Sequence, residues 1–427
     1  MVTHNAPPMG RPEDALAHIG PGADLILPLA NGEPVAVMDA LEAAALDLDG
    51  VRVHQMHALT ERAYIRGEYG DHLRHVSYFL SPATRPSWWA GTIDLVPAHF
   101  SEVPIILRRS TRCSLVIARC SPPDRHGYVS LGTNADYVAS LIGLAPFFLE
   151  VNPQMPRTFG ENQLHLSEVV GWCEHDAPLV EIPPAVPAAE DRAIAALVAE
   201  RIPDRAVIQL GIGAIPNAVA DALGGHRDLG VHTELLSDGI VDLVEAGVVT
   251  GTHKQRRRNK VVTTFCMGTA RVYSWIHENA AVEFIPVSWV NDPRVIATER
   301  RFASVNATTE VDLMGQCASE TVAGRYWSGS GGQADFARGA MYSEGGKAFI
   351  VLRSTTHDMK TTRIRVSLSP GSVVTTLKNT VDNVVTEWGV AELRGRSLRD
   401  RARQLIGIAH PAFRDELTVG ARAAGLL

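Results

Sequence analysis

Two glycine-rich loops and one carboxylate are the features of this chain whose residue types could do chemistry. The first loop reads Gly211-Ile212-Gly213-Ala214-Ile215-Pro216. The apolar run Ala206–Leu210 before it predicts a buried strand. The residues after it, Asn217–Leu223, predict a helix with Pro216 at its first position. Backbone N–H groups at such a strand–loop–helix junction can bind an anion.

The carboxylate is Glu234, which directly follows a second predicted strand, Leu229–Thr233. We single out Glu234 as the candidate nucleophile and the first glycine loop as its anion-binding partner. The alternatives are that Glu234 caps a helix or forms an ion pair, and that the loop is only a turn.

The second glycine cluster lies in Ser328–Phe336, which reads SGSGGQADF. Its glycines and serines predict a loop with exposed backbone N–H groups. Two such loops could converge on one anionic or polarised oxygen atom. A flexible surface loop is the alternative.

Several common catalytic and nucleotide-binding motifs are absent. The sixth position of the first loop is Pro216 instead of the glycine of a dinucleotide-binding GxGxxG loop. The chain also contains no GxxxxGK[ST], GxSxG or HExxH motif. These absences argue against the commonest nucleotide-binding, serine-hydrolase and zinc-protease sites, and we predict no metal site.

Composition and charge are those of a globular protein. The 427 residues are 45% hydrophobic and carry a formal net charge of −7, which argues against a general nucleic-acid binder. Five widely spaced cysteines without a CxxC motif favour reduced thiols in the cytoplasm. Met1–Asp14 reads as a loose tail without a signal peptide, and the uncharged run Tyr137–Leu149 is too short to span a bilayer.

An internal repeat predicts the domain organisation. Pro34 precedes VAVMDAL and Pro216 precedes NAVADAL, at an offset of 216 − 34 = 182 residues. Strand, small-residue loop, proline and helix thus occur twice, which indicates two similar α/β halves, with chance as the alternative. A proline-rich linker, Glu181–Arg192, divides them into 1–187 and 188–427.

Alternating strand and helix patterns predict a mostly parallel, helix-covered sheet in each half. The predicted strands include four further apolar runs, which are Val103–Leu107, Lys260–Cys266, Val282–Val287 and Ala348–Arg353.

At this point the chain resembles a known family. The motifs that carry the resemblance are, in order, GIGAIPNAV, HTELLSDG, VNATTEVDLMGQ, SGSGGQADFARGA, VVTEWGVAELRG and IAHPAFR, with SPPDRHGYVSLG and EVNPQMPRTFG in the first half. Together they resemble the acetyl-CoA hydrolase/transferase family of class I CoA-transferases, and most of all the 4-hydroxybutyrate CoA-transferases. The resemblance covers most of the chain and is specific for the family more than for the substrate.

The resemblance implies a fold and a set of site residues. The fold is two similar open α/β domains facing each other across a cleft, with the catalytic glutamate at Glu234. The CoA-binding residues implied are Gly211, Ile212, Gly213, Ala214, Ile215, Asn306, Gly331 and Gly332. Coenzyme A would be a co-substrate and a transient covalent adduct, with no tightly bound cofactor. Small departures from the family pattern at Thr233, Ser330 and Trp388 remove no reacting group.

The function implied is a CoA-transferase that moves CoA between a short-chain acyl-CoA and a free carboxylate through a glutamyl-CoA thioester. Acids of the 4-hydroxybutyrate and acetate type are the expected substrates. An acyl-CoA hydrolase using the same residues is one alternative, and a catalytically inactive CoA-binding protein is another. We expect a homodimer or higher homo-oligomer, because a dimer is the commonest closed assembly, and we expect neither nucleic-acid nor membrane partners.

Overall fold

The computed structural model describes residues 6–427, which form two compact units. The first unit runs to Ile182 and also contains 262–290, and the second contains 183–261 and 291–427. The chain thus leaves the second unit after Val261 and returns to it at Asn291. The predicted division into 1–187 and 188–427 does not include this return of 262–290 to the first unit.

The first unit is built on a parallel sheet of seven strands. Their order is β10-β7-β5-β1-β2-β3-β4. The strands before residue 183 are β1 (Asp24–Ile26), β2 (Val51–Gln55), β3 (Leu73–Ser77), β4 (Asp94–Leu95), β5 (Leu115–Cys120), β6 (Tyr128–Ser130), β7 (Phe147–Val151), β8 (Phe159–Gly160), β9 (Gln163–His165) and β10 (Gly171–Glu174). The helices are α1 (Val35–Ala43), α2 (Ala63–Arg66), α3 (Arg85–Ala90) and α4 (Val103–Ser110).

The second unit has a six-stranded sheet. Its first part contains α5 (Ala189–Ala199), β11 (Val207–Leu210), α6 (Ala214–Ala222), β12 (Gly230–Val231), β13 (Leu235–Leu236) and α7 (Asp238–Glu245). The excursion into the first unit follows, with β14 (Val261–Thr263) at its start and then β15 (Phe265–Cys266), α8 (Ala270–Ile276), β16 (Val282–Phe284) and α9 (Val287–Val290).

The rest of the second unit completes that sheet. It contains α10 (Pro293–Ile296), β17 (Phe302–Ala307), β18 (Glu310–Asp312), β19 (Cys317–Ala318), β20 (Thr321–Val322), β21 (Arg325–Tyr326), α11 (Gln333–Tyr342), β22 (Lys347–Val351), β23 (Ile364–Arg365), β24 (Asn383–Thr386), β25 (Gly389–Glu392), α12 (Leu398–Gly407) and α13 (Arg414–Ala423). The sheet order is β12-β11-β17-β22-β24-β25, and the ladders are parallel except for the antiparallel pair β24–β25. The expected α/β class with parallel sheets is confirmed.

The strand pairings of the two units repeat one arrangement. β1 pairs with β2 on one side and β5 on the other, and β11 pairs in the same way with β12 and β17. At the 182-residue offset of the sequence repeat, Leu25 corresponds to Val207. Leu25 lies opposite Leu115, and Val207 lies opposite Phe302, so Leu115 and Phe302 are matched through this correspondence.

Two strand predictions need correction. The predicted strand Val103–Leu107 is wrong, because these residues form the first part of α4. Pro104 lies in the first turn, where a helix tolerates proline, and the buried Val103 and Leu107 are four residues apart on one face. The predicted strand Val282–Val287 ends at Phe284, and α9 begins at Val287.

Other expectations concern the first residues, the thiols and the membrane. Residues 1–5 of the predicted tail lie outside the described residues, and Pro12–His18 forms a 3₁₀-helix. All five cysteines are free thiols. Within 6–427, no helix is both long and apolar enough to cross a bilayer. The cytoplasmic location and the homodimer stay predictions.

Candidate active site

The first glycine loop joins strand β11, second in the six-stranded sheet, to helix α6. Gly211 donates its backbone N–H to the carbonyl oxygen of Val305, and Gly213 takes a φ of +123°, a conformation that favours glycine. Gly213 is the N-cap of α6, so the helix begins at Ala214, two residues before Pro216, its predicted first position. The first N–H groups of a helix have no partner inside it. The loop therefore presents the start of α6 as an anion-binding element.

An amide pair lies directly beneath this loop. Gln209 Nε2 donates to Asn306 Oδ1 at 3.1 Å, and Asn306 Nδ2 donates to Gln209 Oε1 at 3.0 Å. A Cβ atom at Gly211 would lie 3.2 Å from Asn306 Oδ1, so only a glycine fits easily there. The pair fixes the orientation of the Asn306 amide at the carboxyl ends of β11 and β17, beside the loop.

Glu234 lies between the short strands β12 and β13. The preceding residue, Thr233, is fully buried and donates its hydroxyl to the carbonyl oxygens of Leu235 at 3.1 Å and Leu210 at 3.4 Å. Because Leu210 immediately precedes Gly211, Thr233 ties the backbone beside Glu234 to the base of the glycine loop.

Asn291 contacts the Glu234 carboxylate directly. It is fully buried after α9, and its Nδ2 donates to Glu234 Oε2 at 2.6 Å. Burial raises the pKa of Glu234 to about 7, and the hydrogen bond from Asn291 opposes this rise because it favours the charged form. Glu234 keeps some exposed surface. The Glu234 carboxylate is thus partly desolvated and accepts a hydrogen bond from the Asn291 amide.

The second glycine loop closes against the same carboxylate. Gly332 is the N-cap of α11, and a Cβ atom there would overlap Glu234 Oε2 and Asn291 Nδ2. Gly331 before it has a φ of +53°, in the left-handed region. Glu320 holds this loop, since its carboxylate accepts from the Ser330 hydroxyl at 3.3 Å. The backbone at Gly332 can approach the carboxylate only because that residue has no side chain.

A cavity of about 230 Å³ opens beside the start of α6. Its lining is Gly213, Ala214, Ile215, Pro216, Ala307, Asp191, Arg353, His357 and Arg363. Arg353 makes two hydrogen bonds to the buried Asp191, with Nε at 2.8 Å and Nη2 at 2.6 Å. Burial lowers the pKa of Arg363, and the positive charge of Arg353 lowers it further. Two guanidinium groups and a helix N-terminus make this cavity suitable for an anion.

The residues that the sequence singled out fall into three local groups. Glu234 lies against Gly332, Gly211 lies against Asn306, and Gly213 to Ile215 line the cavity, whereas Ile212 is 56% exposed. The sequence interpretation missed Asn291, Arg353 and Arg363. A lone asparagine after a four-residue helix gives no signal in the sequence. Arg353 is the last residue of the predicted strand 348–353 and Arg363 lies ten residues further along the chain, and neither position indicates that the two line one cavity with the glycine loop.

No group of three or more His, Cys, Asp or Glu side chains within residues 6–427 is arranged to hold a metal ion.

Comparison with known proteins identifies the family to which this chain is similar. The N-terminal domain profile of the acetyl-CoA hydrolase/transferase family matches residues 8–184, and its C-terminal domain profile matches 268–421. The succinyl-CoA:cyclohexane-1-carboxylate CoA transferase of Geobacter metallireducens is 44% identical over 96% of this chain and 94% of its own length. The 4-hydroxybutyrate coenzyme A transferase of Clostridium kluyveri is 40% identical, with 95% of each chain covered.

Solved structures agree with this relationship. The crystal structure of RipA from Yersinia pestis superimposes with a TM-score of 0.92, at 35% identity and with 98% of each chain covered. Relatives named acetyl-CoA hydrolases are more distant: that of Yarrowia lipolytica is 31% identical over 51% of this chain and 41% of its own length. With both domain profiles matched and close relatives aligned along nearly its whole length, this chain belongs to the acetyl-CoA hydrolase/transferase family.

Proposed function

We propose that this chain is a CoA-transferase that moves CoA between a short-chain acyl-CoA and a free carboxylic acid, with Glu234 as the covalent nucleophile. The observation that carries the assignment of the nucleophile is the set of contacts around Glu234 Oε2, where Asn291 donates and Gly332 leaves room for only a bare backbone. The names of the close relatives support CoA transfer as the reaction class.

The reaction begins with attack of a Glu234 carboxylate oxygen on the thioester carbonyl carbon. The C–S bond breaks, CoA leaves as the thiolate, and a mixed anhydride joins Glu234 to the acyl group. The thiolate then attacks the glutamyl carbonyl carbon and releases the first acid as its carboxylate. The product is a glutamyl-CoA thioester, and an acceptor carboxylate reverses these steps to become the new acyl-CoA.

Each step passes through a tetrahedral oxyanion, which needs donors that are fixed in advance. The Asn291 amide N–H and the backbone at Gly332 lie next to the Glu234 carboxylate, so they are our candidates for this role when the glutamyl carbonyl is attacked. Donors of this kind contribute roughly 10²–10³-fold in rate.

The cavity beside the first glycine loop provides a place for the phosphate groups of CoA. Arg363 and Arg353 carry positive charge there, and the start of α6 adds backbone N–H groups. Arg353 is held by Asp191, so its guanidinium is already positioned before ligand binds. We assign phosphate binding to this cavity, and contact with the rest of the CoA chain to the loop from Gly211 to Ile215 and to Asn306.

Acids of the 4-hydroxybutyrate and acetate type are proposed as substrates alongside larger carboxylic acids. The two close relatives are named for acids as different as cyclohexane-1-carboxylate and 4-hydroxybutyrate. One methylene or hydroxyl group in a pocket changes preference by only about 1–3 kcal/mol. Family membership therefore does not select one acid. The hydrolase alternative would use the same Glu234 and admit water to the intermediate.

Trapping with borohydride tests the proposal. The protein is incubated with acetyl-CoA without an acceptor acid, treated with borohydride and measured by mass spectrometry of its peptides. We expect the Glu234 side chain to be reduced to an alcohol, because a thioester or anhydride is reducible and a carboxylate is not. A chain that binds CoA but shows no reduced Glu234 would instead be the inactive CoA-binding protein.

The same incubation separates transfer from hydrolysis. A transferase releases no more acetate than there are active sites until an acceptor such as 4-hydroxybutyrate is added. Continuous release of acetate with no acceptor present would favour the hydrolase.

A further inference from the structure

The first unit contains a counterpart of the anion-binding loop, and the counterpart differs in what lies against it. By the 182-residue offset, Leu29 of the first unit corresponds to Gly211 of the second. Helix α1 begins at Val35, after Pro34, as α6 begins after the glycine loop. Both helices have nine residues. Helix α1 follows β1, which pairs with β2, and α6 follows β11, which pairs with β12. The two units therefore place a helix N-terminus at the same edge of a parallel sheet.

A buried carboxylate occupies the N-terminus of α1. Glu150, on β7, is fully buried and accepts the backbone N–H of Val35 at 2.9 Å on Oε1. Its second oxygen, Oε2, accepts the backbone N–H of Val37 at 3.0 Å. These are donors of the first helical turn, which bind anions in other proteins. The side chain thus takes the place of an anionic ligand.

A buried arginine lies on the other side of the same carboxylate. Arg119, on β5, is only 2% exposed, and its Nε lies 3.4 Å from Glu150 Oε1. This separation is an ion pair without a hydrogen bond, and both Nε and Nη2 of Arg119 are buried without a hydrogen-bond partner among the described residues. The guanidinium therefore keeps donor groups without hydrogen bonds, and one of them, Nε, lies beside Glu150.

The ladder registers show what stands at the same two positions in the second unit. Arg119 lies opposite Glu150 across β5 and β7, and Asn306 lies opposite Ile350 across β17 and β22. Leu115 and Phe302 are corresponding positions, so four residues further along Arg119 corresponds to Asn306. Glu150 then corresponds to Ile350. A charged pair in the first unit thus replaces an amide and an apolar residue in the second.

We propose that the first unit retains a second anion-binding site of the same design as the glycine-loop site, and that the chain's own Glu150 carboxylate permanently occupies it. The ligand class of the site is a small carboxylate or other oxyanion, held by two N–H groups of α1 and by Arg119. The repeat therefore carries one site that is open to an external anion and one that is filled from within. This inference does not depend on the proposed function of Glu234.

The test removes the internal carboxylate and supplies an external one. The Glu150→Ala variant of the full chain is melted in increasing sodium formate and, separately, in sodium chloride of equal ionic strength. We expect a lower melting temperature than for the unchanged chain, and a saturable recovery of at least half of that loss in formate but not in chloride. Ile350→Ala is the matched control, since it truncates the corresponding residue of β22 and should gain nothing specific from formate.

Each result of these melting experiments either supports or overturns the proposal. Equal responses of the Glu150→Ala variant to formate and chloride would overturn the proposal, as would an equal formate response of Ile350→Ala. If the Glu150→Ala variant does not fold in plain buffer, it is refolded in formate and in chloride. A cooperative melting transition obtained only in formate supports the site, and its absence in both salts at every concentration tested overturns it. None of these measurements uses acyl-CoA, so failure of the proposed function would not affect them.

Discussion

At the scale of single residues, the central feature is a carboxylate whose surroundings favour its neutral form. Burial raises the pKa of Glu234 to about 7, and the hydrogen bond from Asn291 limits the rise. The nucleophile of the proposed reaction is the charged form. The negative charge of Glu234 is therefore poorly solvated in the folded protein. A small change in the contacts of this carboxylate should alter both its reactivity and the stability of the protein.

Replacing Glu234 with glutamine removes the nucleophile and keeps the shape of the side chain. We expect the Glu234→Gln variant to lose at least about 10³-fold in kcat for CoA transfer, because no covalent intermediate can form. Steady-state rates with acetyl-CoA and an acceptor acid measure the loss. Glu392→Gln, at an exposed position at the end of β25, is the control and should retain full activity. Retained activity of the Glu234→Gln variant would remove Glu234 from the mechanism.

The pH dependence of transfer should report Glu234. We expect kcat/KM to rise with pH through about 7, since the carboxylate form reacts and the free enzyme must lose that proton. The Asn291→Ala variant loses a hydrogen bond that lowers the pKa of Glu234, so its rising limb should move to higher pH. Its kcat should also fall by roughly 10²–10³-fold. A limb unmoved by the substitution would show that Asn291 does not act on this carboxylate.

The same pKa shift predicts a pH-dependent stability difference. The pKa of Glu234 in the folded chain lies above its ordinary value of 4.5, so the folded state binds the proton more tightly than the unfolded state. The associated stability is fully present below pH 4.5 and is lost as pH rises through 7. Glutamine at this position carries no charge to bury. The melting temperature of the Glu234→Gln variant should therefore exceed that of the unchanged chain at pH 8, and the difference should shrink toward pH 5.

At the scale of elements, two glycine-rich loops precede helices α6 and α11, and the second brings its backbone close to Glu234. The strand–loop–helix pattern at 206–223 was predictable because an apolar run, glycines and a helix former follow each other in a short stretch. The start of α6 was predicted two residues late, at Pro216, because the loop already ends at Gly213. The contact of Gly332 with Glu234 joins positions almost a hundred residues apart, and only tertiary packing decides such a contact.

Adding a methyl group at Gly332 tests the close approach of the second loop. The Cβ atom of a Gly332→Ala variant would overlap Glu234 Oε2 and Asn291 Nδ2, so either the loop or the carboxylate must move. We expect kcat to fall at least about 10²-fold, since small displacements of reacting groups have effects of this size. Gly407→Ala is the control, because a Cβ atom there meets no other atom within 4 Å. Activity kept by the Gly332→Ala variant would mean that the loop is not positioned for catalysis.

At the scale of the whole molecule, the chain is not two consecutive domains. The repeat and its offset of 182 residues were readable from the sequence, because both copies keep a proline before the similar segments VAVMDAL and NAVADAL. The return of 262–290 to the first unit was not readable. Strand and helix patterns alternate on both sides of residues 261 and 291, and a local pattern does not reveal to which sheet a segment belongs.

Fragments of the chain test this organisation. The segment 262–290 supplies β16, which pairs with β8, and the N–H of Val287, which donates to the carbonyl oxygen of Asp136 at 2.8 Å. A fragment ending at residue 187 would expose the apolar residues that this segment covers, so we expect it to aggregate or to melt without a cooperative transition. The same fragment with 262–290 joined through a flexible linker should be soluble and melt cooperatively. Independent cooperative melting of the short fragment would contradict the assignment of the segment.

The excursion also has a consequence for biosynthesis. A ribosome delivers the chain from its N-terminus, and domains generally fold as units while synthesis proceeds. The first unit lacks part of its structure until residue 290 has emerged, by which time the loop at Gly211 and the strand before Glu234 are already outside the exit tunnel. Nascent chains whose synthesis has passed residue 182 but has not reached residue 290 therefore contain two incomplete units. A chaperone that binds exposed apolar segments should bind nascent chains of these lengths.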